Sequence, residues 1–203
     1  MNPKMSKINE NIQEDKDFAL MIDSFLKKEL VTDGAIRIGK TPYSLVIANA
    51  NPNCDLYIAP GTILKCVSNH GERYHAHSIN IEILKSILSE LRNPILISKG
   101  SHENSLVAVT SLKDNNNQHI IISVDLNAKE KHFLVNKITS SYGKKQLSKY
   151  LDKQIKTKTL IAYNKNKANE MFQSLGLQLP PEESVICFDD SIAYTLDNVN
   201  YPF

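Results

Sequence analysis

Apolar residues Phe18, Met21, Ile22, Phe25 and Leu26 recur at three- and four-residue intervals, which predicts an amphipathic helix over residues 17–30 with Asp15 or Asp17 as its cap. Residues 1–15, rich in Asn, Lys and Glu, read as disordered or loosely packed. Residues 34–39 alternate as a strand does, residues 44–48 form a second short apolar strand, and residues 55–59 end a third before the Pro60-Gly61 turn. Residues 62–67 read as a short strand or helix, followed by a polar linker over 68–78. The clearest helix opens at Asn80: Ile81, Ile83, Leu84, Ile87, Leu88 and Leu91 share one face, and Asn93-Pro94 stops it. Four strands are then expected over 95–98, 106–111, 119–125 and 131–138. A helix over 144–155, a strand over 159–163 and a helix over 167–175 ended by Gly176 complete the order.

Consecutive strands with short connections predict an α+β fold, a small, mostly antiparallel sheet with helices packed on one face. Three segments follow: residues 1–33 (a polar stretch plus the amphipathic helix), a core domain over 34–180, and an acidic, aromatic tail over 181–203 that begins after Pro180. The 203 residues suit one domain with appendages. No run approaches the roughly 20 apolar residues of a membrane helix, and the polar N-terminus lacks the apolar stretch of a secretion signal. Three widely spaced cysteines, Cys54, Cys66 and Cys187, argue against a disulfide framework. A cytoplasmic site of action is expected, with delivery by a route that needs no signal peptide left open.

The net charge of +2 conceals an asymmetry: residues 128–167 carry +9 and residues 168–203 carry −6. Lysines on solvated faces explain part of it, and a basic surface for a polyanion is the functional alternative. The acidic tail, with Phe188, Tyr194, Tyr201 and Phe203, either folds back over that surface, serves as a docking site, or lies down as an ordinary edge strand.

Within residues 135–145, Ser140 and Tyr142 stand two apart, so on a strand both project from one face toward a shared ligand atom. Lys144 and Lys145 follow at once and suit an anionic group such as phosphate. His75 and His77 precede the helix at Asn80, where an imidazole can act as general acid or base beside a helix N-terminus that favours phosphate. Cys66, His70, His75 and His77 together raise a zinc reading, but their spacing matches no common zinc pattern and no metal is expected. Gly39-Lys40-Thr41 ends like a phosphate-binding loop, but Gly34 reads as one residue too near for the upstream glycine and Pro42 spoils the helix such a loop needs.

The Gly-Lys-Thr-Pro of residues 39–42, a His before a helix, Leu-x-Asn-Pro-Ile at 91–95, Ile-x-Ser-x-Tyr-Gly-Lys at 138–144 and Tyr-Asn-Lys at 163–165 occur in an order that resembles the C-terminal domain of phage MuF-type proteins. That domain is grouped with predicted toxin nucleases of the barnase, EndoU, colicin and RelE-like assemblage, and the resemblance spans about residues 36–180. It implies a small α+β ribonuclease toxin working without metal or other cofactor, with RNA as substrate and an antitoxin or immunity protein as partner. It implies His77 as base or acid with His75 as substitute, Ser140 and Tyr142 binding or protonating the phosphate, Lys144 and Lys145 holding the backbone with Lys149 as a further substrate-binding lysine, and Lys65 as a further stabiliser. Two features depart from the family pattern: Ala76 replaces a basic residue beside the His, and residues 1–33 stand where a portal-associated region normally precedes the domain. A non-catalytic nucleic-acid- or protein-binding module of the same fold is the alternative. An ADP-ribosyltransferase is a third reading, without an acidic motif to support it.

Overall fold

The computed structural model describes residues 3–69 and 77–194. One eight-stranded sheet, in the order β1-β2-β6-β5-β4-β3-β7-β8, organises the molecule. Its strands are β1 (Ile36–Lys40), β2 (Asp55–Ile58), β3 (Leu96–Lys99), β4 (Ser105–Lys113), β5 (His119–Glu130), β6 (Phe133–Gly143), β7 (Leu160–Asn164) and β8 (Ile186–Phe188). Pairing is antiparallel except for β2 with β6 and β7 with β8. The helices are α1 (Pro3–Leu26), α2 (Tyr43–Ile47), α3 (Pro60–Val67), α4 (Ile81–Arg92), α5 (Leu147–Lys156) and α6 (Lys165–Ser174).

The α+β class and the mostly antiparallel sheet are as expected, but the helices divide between the faces. Phe18, Ile22, Leu45, Ile63, Leu84, Ile87 and Leu88 of α1–α4 bury against Ile97, Ala108, Ile120, Ile122 and Ile138. Leu147, Leu151, Ala168 and Phe172 of α5 and α6 bury against the alternate residues Leu96, Val109 and Ile121. The continuous apolar runs at 106–109 and 120–122 require this, since side chains alternate between faces and both sides are dry there.

Other differences are local. Residues 44–48 are not a strand: α2 forms instead, started by Pro42, with the Ser44 hydroxyl bonded to the Leu91 carbonyl. A five-residue apolar run carries no period that separates strand from helix, so this tertiary contact decides. Helix α1 begins at Pro3, far upstream of residue 17, because Glu14 and Asp15 bind the guanidinium of Arg92 on α4 and thereby order a polar stretch. The helix expected over 144–155 starts at Leu147, after the left-handed Gln146.

Gly34 is not too near: residues 34–41 do carry the formal P-loop spacing, but β1 is extended there. A Cβ at Gly39 would lie 3.2 Å from the Glu14 carboxylate, so the site faces an acid where a phosphate cradle would need donors. In the tail, β8 lies along β7 as an edge strand, Glu182 pairs with Lys165 at 2.7 Å, and the Asp190 carboxylate accepts from the Asn93 and Asn164 amides, each at 2.8 Å. Tyr201 and Phe203 lie outside the described residues.

Candidate functional site

Strand register places the site. On the face that carries α5 and α6, one row of neighbours runs Leu96, Val109, Ile121, Tyr142, and the next runs Ser98, Val107, Ser123, Ser140. The third row is Ser105, Asp125, Lys137. The first row is apolar apart from Tyr142 and lies under the two helices; the second and third turn polar, and there the sheet opens into a cleft.

A bulge aims Ser140 and Tyr142 into it. Val124 pairs with Ile138 while Ser123 pairs with Ser140, so Thr139 is an extra residue in β6. Ile138 faces the α1–α4 core, and strict alternation would send Ser140 there too. The inserted residue turns Ser140 and Tyr142 to the opposite face. β2 pairs with β6 only as far as Ile138 and then turns into α3, leaving the rest of β6 without a strand on that side. His77 comes in along this gap, its backbone N–H held by the Lys65 carbonyl at 2.9 Å.

The result is a convergence. His77 Nε2 lies 2.9 Å from Ser140 Oγ, and its ring centroid is 4.9 Å from that of Tyr142. A neutral imidazole can accept from the hydroxyl through Nε2, and an imidazolium donates to it. Burial holds the Tyr142 phenol above its usual 10.0, so at neutral pH it is a hydrogen-bond donor. The cleft, about 440 Å³, also takes in Lys65, Ser123 and Asp125, with His102 arriving on the β3–β4 loop. No motif in the sequence points to His102. That loop is held by Ser105, whose hydroxyl donates to the His102 carbonyl at 2.9 Å and accepts from its N–H at 3.1 Å. Only the pairing of β4 with β5 and β5 with β6 brings His102 to His77's cleft, and no local pattern signals that. The change from doubly apolar strand to alternation at Ser123 and Asp125 was the readable sign of an open polar face.

The remaining candidates separate. Lys144 and Lys145 line a second hollow of about 620 Å³ that shares His77 and Tyr142 with the first. The Lys144 ammonium sits 4.7 Å from the Tyr150 ring centroid, and the Tyr150 hydroxyl is 2.8 Å from Ser98 Oγ. Lys149 is exposed on α5 and lines neither hollow. His75 and His70 fall outside the described residues. Cys66 lies in the α1–α4 core, where burial pushes its thiol up to about 11, on the opposite side of the sheet from the face that His77 reaches. Among the described residues no three His, Cys, Asp or Glu side chains cluster to hold a metal ion, and no helix is long and apolar enough to cross a membrane.

Two motif asparagines have structural duties. Asn164 of Tyr-Asn-Lys is fully buried, caps α6 by accepting the Asn166 and Lys167 N–H groups, and donates to Asn93 Oδ1 of Leu-x-Asn-Pro-Ile at 2.9 Å. Neither a curated protein nor a solved structure matches this chain. The family description of the phage MuF C-terminal domain matches residues 68–170, which include His77, His102, Ser140 and Tyr142 but neither Lys65 nor the Gly-Lys-Thr-Pro segment. With half its length matched, the chain belongs to the phage MuF C-terminal domain family.

Proposed function

We propose that the cleft cleaves RNA by metal-independent transphosphorylation, as a toxin acting on cytoplasmic RNA in phage-borne or interbacterial conflict. The observation that carries this reading is His77 Nε2 at 2.9 Å from Ser140 Oγ, with Tyr142 against the same ring and His102 and Lys65 lining the same cleft. One imidazole takes the ribose 2′-OH proton while the 2′-oxygen attacks phosphorus. The other gives a proton to the departing 5′-oxygen, leaving a 2′,3′-cyclic phosphate and a 5′-hydroxyl. Ser140 and Tyr142 donate to the non-bridging oxygens, and the Lys65 ammonium offsets their charge. Two imidazoles suit the task because an imidazole can either accept or donate a proton near neutral pH, so one serves as base while the other serves as acid. A toxin of this kind requires a cognate antitoxin or immunity protein in the cell that makes it.

The test is incubation with tRNA, rRNA and mRNA in EDTA, with the new 3′ ends assayed for cyclic phosphate. Cleavage is expected to follow a bell-shaped pH profile and to fall by about 10²–10⁴-fold in His77→Ala and in His102→Ala. Intact RNA in all three pools would refute the reading. Salt-sensitive RNA binding without cleavage would instead establish the non-catalytic module.

A further inference from the structure

We infer that the second hollow is a nucleobase subsite for the nucleotide next to the reacting phosphate, an assignment that rests on the RNA-cleaving reading of the cleft. The two hollows share His77 and Tyr142, so a chain whose phosphate reaches His77 and Ser140 must place an adjoining nucleoside beyond the Tyr142 ring. A volume of about 620 Å³ falls within the range of small-molecule sites.

The two linings differ in chemistry. The first hollow presents hydroxyls, imidazoles and Lys65, the groups that hold a phosphate, beside the Asp125 carboxylate. The second is walled by the β4–β5 turn, with the amides of Asn115, Asn116 and Gln118, and by Lys144 and Lys145. Side-chain amides present a donor and an acceptor together, which is what the edge of a base offers, and an aromatic ring beside them supplies a stacking surface. The lysines lie where the next phosphate would leave.

The turn is set rigidly enough to discriminate. Asp114 Oδ1 accepts the N–H groups of Asn116 at 2.8 Å and Gln118 at 2.9 Å, and the Asp114 N–H donates to the Gln118 carbonyl at 2.9 Å. Its other carboxylate oxygen packs against Gly143, where a Cβ would fall 1.9 Å away, so the turn rests directly on the end of β6. The Asn115, Asn116 and Gln118 amides have no hydrogen-bond partner among the described residues and remain available to a ligand. Duplex RNA buries its base edges, so the substrate is an unpaired nucleotide.

The test uses the full chain carrying His77→Ala, which keeps the turn and prevents turnover. The four 3′-nucleoside monophosphates are titrated calorimetrically into it and into the same protein with Asn116→Ala and Gln118→Ala added. The expected result is a spread in Kd of about 10-fold or more among the four bases, the scale of one good bidentate contact, collapsing below about 3-fold in the double substitution. Equal affinity for all four bases, no binding of any, or an unchanged spread in the substituted protein would each overturn the subsite. Wild-type protein is separately given a randomised single-stranded RNA and its cleavage ends sequenced. Base discrimination with no cleavage supports the subsite and refutes the catalytic reading alone. Cleavage with no base preference at either flanking position overturns the subsite and leaves catalysis standing.

Discussion

Replacing Arg92 with Met should cost about 2–3 kcal/mol at pH 7.5, and the cost should shrink on acidification. Arg92 is the tie that orders the polar half of α1. Its side chain is 8% exposed, Nη2 donates to Glu14 Oε2 at 2.8 Å, and Nη1 donates to Asp15. Glu14 also accepts the Lys40 N–H at 3.2 Å, so a single guanidinium links α1 to α4 and, through Glu14, to β1. Met keeps the packing of the aliphatic stem and removes only the charge and the donors. Breaking a fully buried pair costs about 3–5 kcal/mol, and an exposed pair is worth about 0.2–1. Glu14 and Asp15 retain 21% and 33% exposure, which places the loss between those limits, nearer the buried one because two carboxylates are stranded together.

Burial raises the Asp15 carboxyl even with Arg92 beside it, since desolvation outweighs the guanidinium. Without the guanidinium that carboxyl rises further, so proton uptake on acidification relieves the strain and the variant recovers part of its deficit. The assay is urea unfolding of both proteins at pH 7.5 and pH 5, with the change in free energy taken from midpoints at constant slope. Adding Glu14→Gln and Asp15→Asn to the Met variant should recover most of the loss, because no unpaired charge is left. A cost under about 1 kcal/mol at pH 7.5, a cost that does not vary with pH, or no recovery in the triple variant would refute the argument.

Gly143→Ala should destabilise the protein by about 1–3 kcal/mol by urea unfolding, because its Cβ would fall 1.9 Å from the Asp114 carboxylate and force the β4–β5 turn outward. Burial lowers the pKa of His119, with Lys113 adding to the effect and the Thr110 carbonyl and Glu90 opposing it. The unfolded chain therefore binds the proton more tightly, and this share of stability is full above about pH 6.5 and lost as pH falls through the lower folded value. His119→Gln should flatten that slope in midpoints measured from pH 7.5 to 5, and an unchanged slope would count against it. Cys66, its thiol near 11 and its side chain buried, should resist a thiol reagent at pH 7.5 until urea unfolds the chain. Modification of Cys66 in the native state, located by peptide mapping, would contradict that packing.

Much of the secondary structure was legible because it depends on neighbours in the chain. The buried face of α4 (Leu84, Ile87, Leu88 and Leu91), its Asn80 cap and the Asn93-Pro94 stop are written within fifteen residues and are found, although Ile81, expected on that face, is exposed. So is the shared face of Ser140 and Tyr142, a consequence of strand alternation alone. What the chain does not write locally is which strands lie together. Five residues at 44–48 satisfy strand and helix equally, and a bond to Leu91 chooses the helix. Residues 3–16 carry too little apolar surface to predict a helix, and an arginine 77 residues from Asp15 orders them.

The candidate site follows the same division. The types of residue needed, imidazole, hydroxyl, phenol and ammonium, were present in the sequence as short motifs far apart. His77 and Ser140 meet across 63 positions only because β2 leaves the sheet at Ile58 and an unpaired Thr139 turns the following residues over. His102 joins them through the pairing of β4, β5 and β6, and Lys149, adjacent in sequence to the basic motif, is carried away on α5. Local sequence determines which side chains share a face, because that depends on the backbone period. Only the tertiary structure decides which faces meet, because that depends on long-range pairing and on a one-residue bulge that the period cannot encode.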